Sequence, residues 1–342
     1  MAIQNFNPEG KYSKASTLTN KEYLSGIRKG DRSILSRAIT LIESDNPKHK
    51  KQSNQLISLC LPHSGESFRL GITGVPGVGK STFIEAFGSM LIKNKYKVAV
   101  LAIDPSSAKS KGSILGDKTR MAVLSSNENA FIRPSPAVDT LGGVAQKTRE
   151  SIVLCEAAGY DFIIVETVGV GQSEIAVKSM VDFFLLLLLP GAGDELQGIK
   201  RGIVEMADML VINKADGELK KISKRAKLDY KNALHLFPPT DSGWDVPVLT
   251  CSSVEKAGLD HIQELLEDFQ NKMIKSGFLK AEREKQNEYW LTESLFDALK
   301  SDFLSNKKVE DHLDRLKKKV TSGKLSPFKA AEELIDLYKQ NN

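Results

Sequence analysis

Six apolar runs of strand length, spaced between Phe68 and Ser253, alternate with stretches of helical pattern. They are FRLGIT (68–73), KVAVLAID (97–104), DFIIVE (161–166), DFFLLLLL (182–189), DMLVINK (208–214) and VPVLTCSS (246–253). Strands that alternate with helices build parallel βαβ units, whose sheet is covered on both faces and whose strands therefore read as near-continuous apolar runs. The stretch FFLLLLLP, Phe183 to Pro190, is far too short to cross a bilayer and fits a strand buried on both faces. The expectation is an α/β fold with a mostly parallel sheet flanked by helices. Ligands of such sheets bind beyond the carboxyl ends of the strands, and every motif below sits at one of those ends.

The first run leads straight into GVPGVGKS, Gly74 to Ser81, followed by a helical stretch from Ser81 to Asn94. Gly74, Gly77 and Gly79 permit positive φ and close backbone approach. Successive N–H groups of Val75, Pro76's neighbours, Val78 and the helix start at Lys80, Ser81 and Thr82 can converge on phosphate oxygens. Lys80 can reach the β- and γ-phosphates, and the Ser81 hydroxyl is a Mg²⁺ ligand type. This strand–loop–helix context predicts a P-loop NTPase fold. After the fifth run comes NKAD, Asn213 to Asp216. The Asp216 carboxylate can accept from both N1–H and the N2 amino group of guanine, a donor pair that adenine lacks. Lys214 would cover the base, and Asn213 would tie this loop to the phosphate loop. TCSS, Thr250 to Ser253, ends the sixth run, where Ser252, Ser253 and Val254 can offer backbone N–H to guanine O6. GTP is therefore the expected nucleotide.

Three acids compete for the metal and catalytic positions: Asp104 in LAIDPSS, Asp117 in GSILGDKTRM and Glu166 at the end of the third run. Mg²⁺ takes oxygen ligands and retains several waters, so each acid can act directly or through water. The third run continues as VETVGVGQSE, a strand followed by a DxxG-like turn at Gly169, with a glutamate in place of the aspartate. Val170 stands where a water-orienting glutamine would follow that glycine, and Gln172 comes two residues later. Phosphoryl transfer depends on positioning and charge stabilisation, so a displaced glutamine predicts slow hydrolysis alone and stimulation by a partner. A third polar loop, PGAGDELQGIKRG, offers Asp194, Glu195, Gln197 and Lys200 as switch residues.

Residues 22 to 44 carry apolar positions at helical spacing, with Gly30-Asp31 separating two helices, and NPKHKKQSN reads as a loop. Beyond Leu259 the strands stop and four helical segments follow, the last two short, amphipathic and charged. The organisation expected is an N-terminal helical extension (1–55), a nucleotide-binding core (56–270) and a C-terminal helical arm (271–342) suited to packing on another subunit. Cys60, Cys155 and Cys251 are isolated, with no CxxC or Cys/His cluster, which excludes a disulfide framework or a zinc site as a reading and fits a reducing cytoplasm. The first residues show no signal core and no Arg-rich amphipathic pattern. The net charge of +5 has no aromatic-interleaved basic patch beside it, so no nucleic-acid partner is expected.

Together GVPGVGKST, AIDPSS, GSILGDKTRM, RPSPAVDTLGG, VETVGVGQSE, PGAGDELQGIKRG and NKAD resemble the MeaB/MMAA family, whose bacterial members were also called ArgK. The likeness runs from RAITLIES through REKQNEYW and weakens over the last ~40 residues. The resemblance implies a homodimeric GTPase that guards and loads cobalamin-dependent methylmalonyl-CoA mutase or a related acyl-CoA mutase. In that role GTP hydrolysis gates delivery of adenosylcobalamin, which the chain would meet only through its partner. The resemblance puts Lys80 and Ser81 on phosphate and Mg²⁺, and Asp104, Asp117 and Glu166 at metal and switch positions. It makes the loop of the 190s a partner-sensing switch. A nickel-delivery GTPase is the first rival, but it needs clustered Cys and His that this chain lacks. A transport-protein kinase is the second, and no phosphoacceptor-activating constellation supports it. A third treats the chain as a GTP-dependent binding module whose hydrolysis is incidental.

Overall fold

The computed structural model describes residues 18–44, 46–103, 121–134, 141–167, 173–191 and 201–340. The chain divides into two compact units, one ending at Leu279 and one beginning at Lys280.

The first unit opens with three helices, each begun by a local cap. Thr19 and Glu22 form a capping box at α1 (Asn20–Arg28), and Asp31 accepts from the Ser33 and Ile34 amides to start α2 (Arg32–Glu43). Asn46 caps α3 (Pro47–Cys60), with proline at its first turn. Residues 46–54, read from the sequence as a loop, are therefore the front of a helix. Its first two turns carry almost no apolar residues, so periodicity gave no helix signal there. Ser53, Leu56 and Cys60, at helical spacing, are what it buries.

Seven strands follow: β1 (Phe68–Gly74), β2 (Val98–Ile103), β3 (Ala130–Arg133), β4 (Phe162–Thr167), β5 (Phe183–Leu188), β6 (Met209–Ile212) and β7 (Val248–Thr250). They form one sheet in the order β3-β2-β4-β1-β5-β6-β7, and every pairing is parallel. Six strands match the six apolar runs. The seventh, β3, is a four-residue edge strand that the sequence reading passed over.

Between the strands lie α4 (Lys80–Lys93), α5 (Ala122–Ser126), α6 (Leu141–Ala157), α7 (Ser173–Lys178), α8 (Arg201–Met206) and α9 (Leu219–Leu234), and α10 (Leu259–Ser276) follows the last. Alternate strand residues face opposite layers. Phe68, Leu70, Ile72, Phe162 and Phe183 pack with Phe83 and Phe87 of α4 and Leu266 and Phe269 of α10. Leu186, Leu210 and Ile212 pack with Val204 of α8 and Ala226 and Tyr230 of α9. Gly71, in mid-strand, is a close-packing glycine. A Cβ there would lie 2.8 Å from a Phe184 ring carbon and 2.9 Å from a Val177 methyl. The N-terminal helices α2 and α3 pack on α6. Arg32 donates to the Asn127 carbonyl at 3.0 Å, and Arg133 donates to Glu43, so these helices also brace both ends of β3.

The second unit takes α11 (Phe278–Ser305) from Lys280 onward, and a hairpin of α12 (Lys307–Thr321) and α13 (Pro327–Lys339) follows, capped by Asn306 and Ser326. Its buried cluster is small: Val309, Leu316, Ala330 and Leu334.

Candidate functional site

The site is built at the carboxyl ends of β1, β4, β6 and β7. β1 runs into the phosphate loop at Gly74, where a Cβ would stand 2.5 Å from the Leu187 carbonyl of β5. That contact excludes any side chain at this turn. Gly79, at φ +93°, closes the loop and begins α4, and a Cβ there would meet Asn213 Nδ2 at 2.9 Å. Val78 is fully buried and pins the loop to the core, whereas Pro76, Gly77 and Thr82 face solvent.

Lys80 is almost buried, and its ammonium donates to the Gly74 carbonyl at 2.7 Å and the Val75 carbonyl at 3.4 Å. Burial lowers its pKa, and the Glu166 and then the Glu174 carboxylate oppose that fall. Oγ of Ser81 donates to Oε1 of Glu166 at 3.3 Å. A hydroxyl and a carboxylate side by side are the hard oxygen donors that Mg²⁺ takes, so these residues fit that ion.

The base loop is bound to the phosphate loop by side chains. Asn213 is 1% exposed. Its Nδ2 donates to the Val78 carbonyl at 3.0 Å, and its Oδ1 accepts from the Ser253 amide at 3.2 Å and the Ser253 hydroxyl at 2.8 Å. All the amide's hydrogen-bonding edges thus serve to hold three segments in one register. Lys214 sits at φ +58°, a left-handed conformation unusual for a lysine, and donates to the Gly77 carbonyl at 2.8 Å. Asp216 accepts from the Ser252 hydroxyl at 2.5 Å, which aims its carboxylate. Ser252 Oγ in turn accepts from the Glu255 amide at 3.0 Å. Cys251 is buried beside Asn213, and burial pushes its thiol up to about 12.

The structure therefore brings together the phosphate loop, Glu166, Asn213, Lys214, Asp216, Ser252 and Ser253. Val254, 76% exposed, turns its side chain to solvent. Asp104, Asp117, Gly169, Val170, Gln172, Asp194, Glu195, Gln197 and Lys200 lie outside the described residues. The sequence reading assigned no role to Glu174, which is 2% exposed at the start of α7. Thr73 and Thr167 share a hydrogen bond of 2.7 Å behind the phosphate loop, and Thr73 Oγ1 also donates to Glu174 at 3.5 Å. An acid in the first turn of a short helix is ordinary by sequence. Only its burial near Lys80 distinguishes it.

A family model described as "Methylmalonyl Co-A mutase-associated GTPase MeaB" matches residues 35–308. The chain belongs to the MeaB family. This MeaB-family chain is a GTP hydrolase that binds guanine nucleotide, as its relatives' names also have it. A probable GTPase of Mycobacterium tuberculosis (strain ATCC 25618 / H37Rv) is 49% identical over 313 residues, covering 92% of this chain and 93% of that one. The "Methylmalonic aciduria type A homolog, mitochondrial" of Mus musculus is 43% identical over 344 residues, covering 98% of this chain and 83% of that one. Among solved structures, that of a LAO/AO transport system kinase superposes with a TM-score of 0.72 at 39% identity, covering 94% of this chain and 97% of that one. Its fold agrees with the parallel P-loop sheet described above.

Proposed function

We propose that this MeaB-family GTPase serves a cobalamin-dependent acyl-CoA mutase, methylmalonyl-CoA mutase or a close relative. Its hydrolysis of GTP gates adenosylcobalamin loading and protects or reactivates that enzyme. The family's own description and the mouse relative's name support the partner. The observation that carries the nucleotide chemistry is the direct bonding of base loop to phosphate loop through Asn213 and Lys214. Adenosylcobalamin is met only through the partner, and the pair works in the cytoplasm.

In this reading the amides of residues 75–82 cradle the phosphates, and Lys80 leaves the Gly74 carbonyl for the β- and γ-phosphate oxygens. Ser81 and Glu166, with Asp104 and Asp117, hold Mg²⁺, which neutralises phosphate charge when bound. Asp216 reads the guanine N1–H and N2 amino group, and the Ser252–Val254 backbone reads O6. With Val170 in place of a water-orienting glutamine, the protein alone is slow. Gly169, Gln172, Asp194, Glu195, Gln197 and Lys200 belong to the loops that the mutase reorders. Leu291, Leu295, Phe296 and Leu299 lie exposed along α11 at helical spacing, which supports a homodimer formed through the C-terminal arm. Neither nucleic acid nor a membrane is a partner, and among the described residues no helix is long and apolar enough to cross a membrane.

The test is the GTPase rate of the purified protein, alone and with the acyl-CoA mutase from the same source. A slow basal rate that rises many-fold is expected. A rate unmoved by the mutase removes the partner assignment and leaves the GTPase.

A further inference from the structure

Helix α9 carries Lys220, Lys221, Lys224, Arg225, Lys227 and Lys231 against the single acid Asp229, a net +5 that equals the formal net charge of the whole chain. The charges of the remaining residues sum to zero, so α9 is a concentrated basic segment of the chain. Lys220, Lys224, Lys227 and Lys231 recur every three to four residues and so line one stripe. Among the described residues only Lys220 has an acidic partner, Glu255 at 3.3 Å. The face about a quarter-turn away, with Ala226 and Tyr230, is packed against β6 and β7.

Two further observations fix the setting of this stripe. Lys227 and Lys231 line a cleft of about 740 Å³ together with apolar Phe237, Pro247 and Val248 and the acids Glu205 and Asp245, so apolar anchorage lies beside charges of both signs. At the other end of the helix, Ile222 lies against the turn after β5: a Cβ built on Gly191 would be 3.5 Å from its Cγ2. The sequence that continues beyond that turn is the stretch proposed above to sense the partner.

We propose that the basic face of α9 is a docking surface for an acidic face of the partner protein, beside the turn at Gly191. This rests on the reading of an acyl-CoA mutase as that partner. Unpaired like charges on one side of a molecule raise association rates with an oppositely charged protein, and salt screens that effect. A protein fits better than the alternatives. Single-stranded nucleic-acid surfaces interleave aromatic residues for stacking, and the exposed apolar residues here are Leu219, Ile222 and Leu228. An amphipathic helix binds a lipid surface through one apolar face, whereas on α9 Ala226 and Tyr230 are already buried and Leu219, Ile222 and Leu228 are spread around half the circumference.

Association of the full-length protein with the mutase is to be followed by stopped flow at low salt and at about 0.5 M NaCl. The proteins compared are the wild type, a Lys224→Glu/Lys227→Glu/Lys231→Glu triple variant and the corresponding glutamine triple. Wild-type association is expected to slow roughly tenfold or more with salt. At low salt the glutamate triple should be slower again, by about thirtyfold, with the glutamine triple in between. Basal GTP hydrolysis and Tm should remain those of the wild type, which establishes folding. Wild-type association that all three proteins share at one rate overturns the docking surface and leaves the mutase reading standing. No association of the wild type overturns the mutase reading, and the docking proposal with it. Binding of duplex DNA, RNA or phosphatidylglycerol vesicles that only the wild type shows at physiological salt replaces the protein partner with that surface.

Discussion

The two units of this chain solve the burial problem on different scales. In the first, strands β1, β4 and β5 are buried on both faces, and Phe183 sits edge-on against Phe269 at 4.7 Å between ring centroids. In the second, the α12–α13 hairpin closes on four buried side chains, while Phe328 and Ile335 of the same hairpin stay exposed. Buried apolar area is the main source of stability. The first unit therefore stands on its own core, and the second holds a marginal one. The site follows the same division: every hydrogen bond that aligns phosphate loop, Glu166 and base loop lies in the first unit. The difference teaches that nucleotide handling and the arm are separable in stability.

The largest effect tests that separation directly. Phe183→Ala removes a fully buried ring from the centre of the sheet and should cost about 3–5 kcal/mol, with GTP binding lost as the unit unfolds. Leu316→Ala in the hairpin should cost about 2 kcal/mol and, as the telling part, leave basal GTP hydrolysis at the wild-type rate. Chemical denaturation followed by tryptophan fluorescence, alongside the GTPase rate, reads both. A Leu316→Ala protein that loses hydrolysis together with its fold would merge the two units into one cooperative body.

A smaller effect sharpens the comparison inside the site. Asn213→Ala leaves the Val78 carbonyl and the Ser253 amide without the side chain that now satisfies both. Stranding such partners costs about 1–3 kcal/mol of the fold's stability, so the melting temperature should fall, and with the register of the base loop loosened the nucleotide affinity should fall roughly tenfold or more. Calorimetric titration with GDP measures it. An unchanged affinity would mean that the base loop keeps its register by backbone bonds alone, such as Ala215 N–H to the Cys251 carbonyl at 2.9 Å.

Much of this molecule could be read from its sequence where one local rule acts without competition. The parallel strands announce themselves because burial on both faces demands continuous apolar runs. The phosphate loop is legible because its glycines are required by backbone contacts, as the Leu187 carbonyl shows at Gly74. What escaped reading was decided by tertiary contact. β3 is four residues long and owes its place at the sheet edge to pairing with β2, braced by Arg133 on Glu43. The start of α3 is nearly all polar and is fixed by Asn46 and Pro47, a capping signal outweighed in the reading by composition. Glu174 looks like any first-turn acid until the fold buries it behind Thr73.

A single buried thiol carries the smallest expected effect, a dependence on pH that the thiols confine to the first unit. All three cysteines lie in the first, and burial raises every thiol: Cys60 to about 11, Cys251 to about 12, and Cys155 further. An unfolded thiol releases its proton near pH 9.0, the ordinary value. Above that pH the unfolded chain binds fewer protons than the folded one, so stability present below pH 9 is lost as pH rises toward the folded values. By pH 10 the loss should be about 1 kcal/mol for each buried thiol. The Tm of the first unit should therefore fall between pH 8 and 10, and Cys251→Ala should lessen the slope of that fall. The cysteine-free hairpin feels no such term. Should both transitions fall in parallel, with Cys251→Ala without influence, the titrating groups would have to be sought among the tyrosines that burial raises in both units, Tyr96 and Tyr160 in the first and Tyr289 in the second.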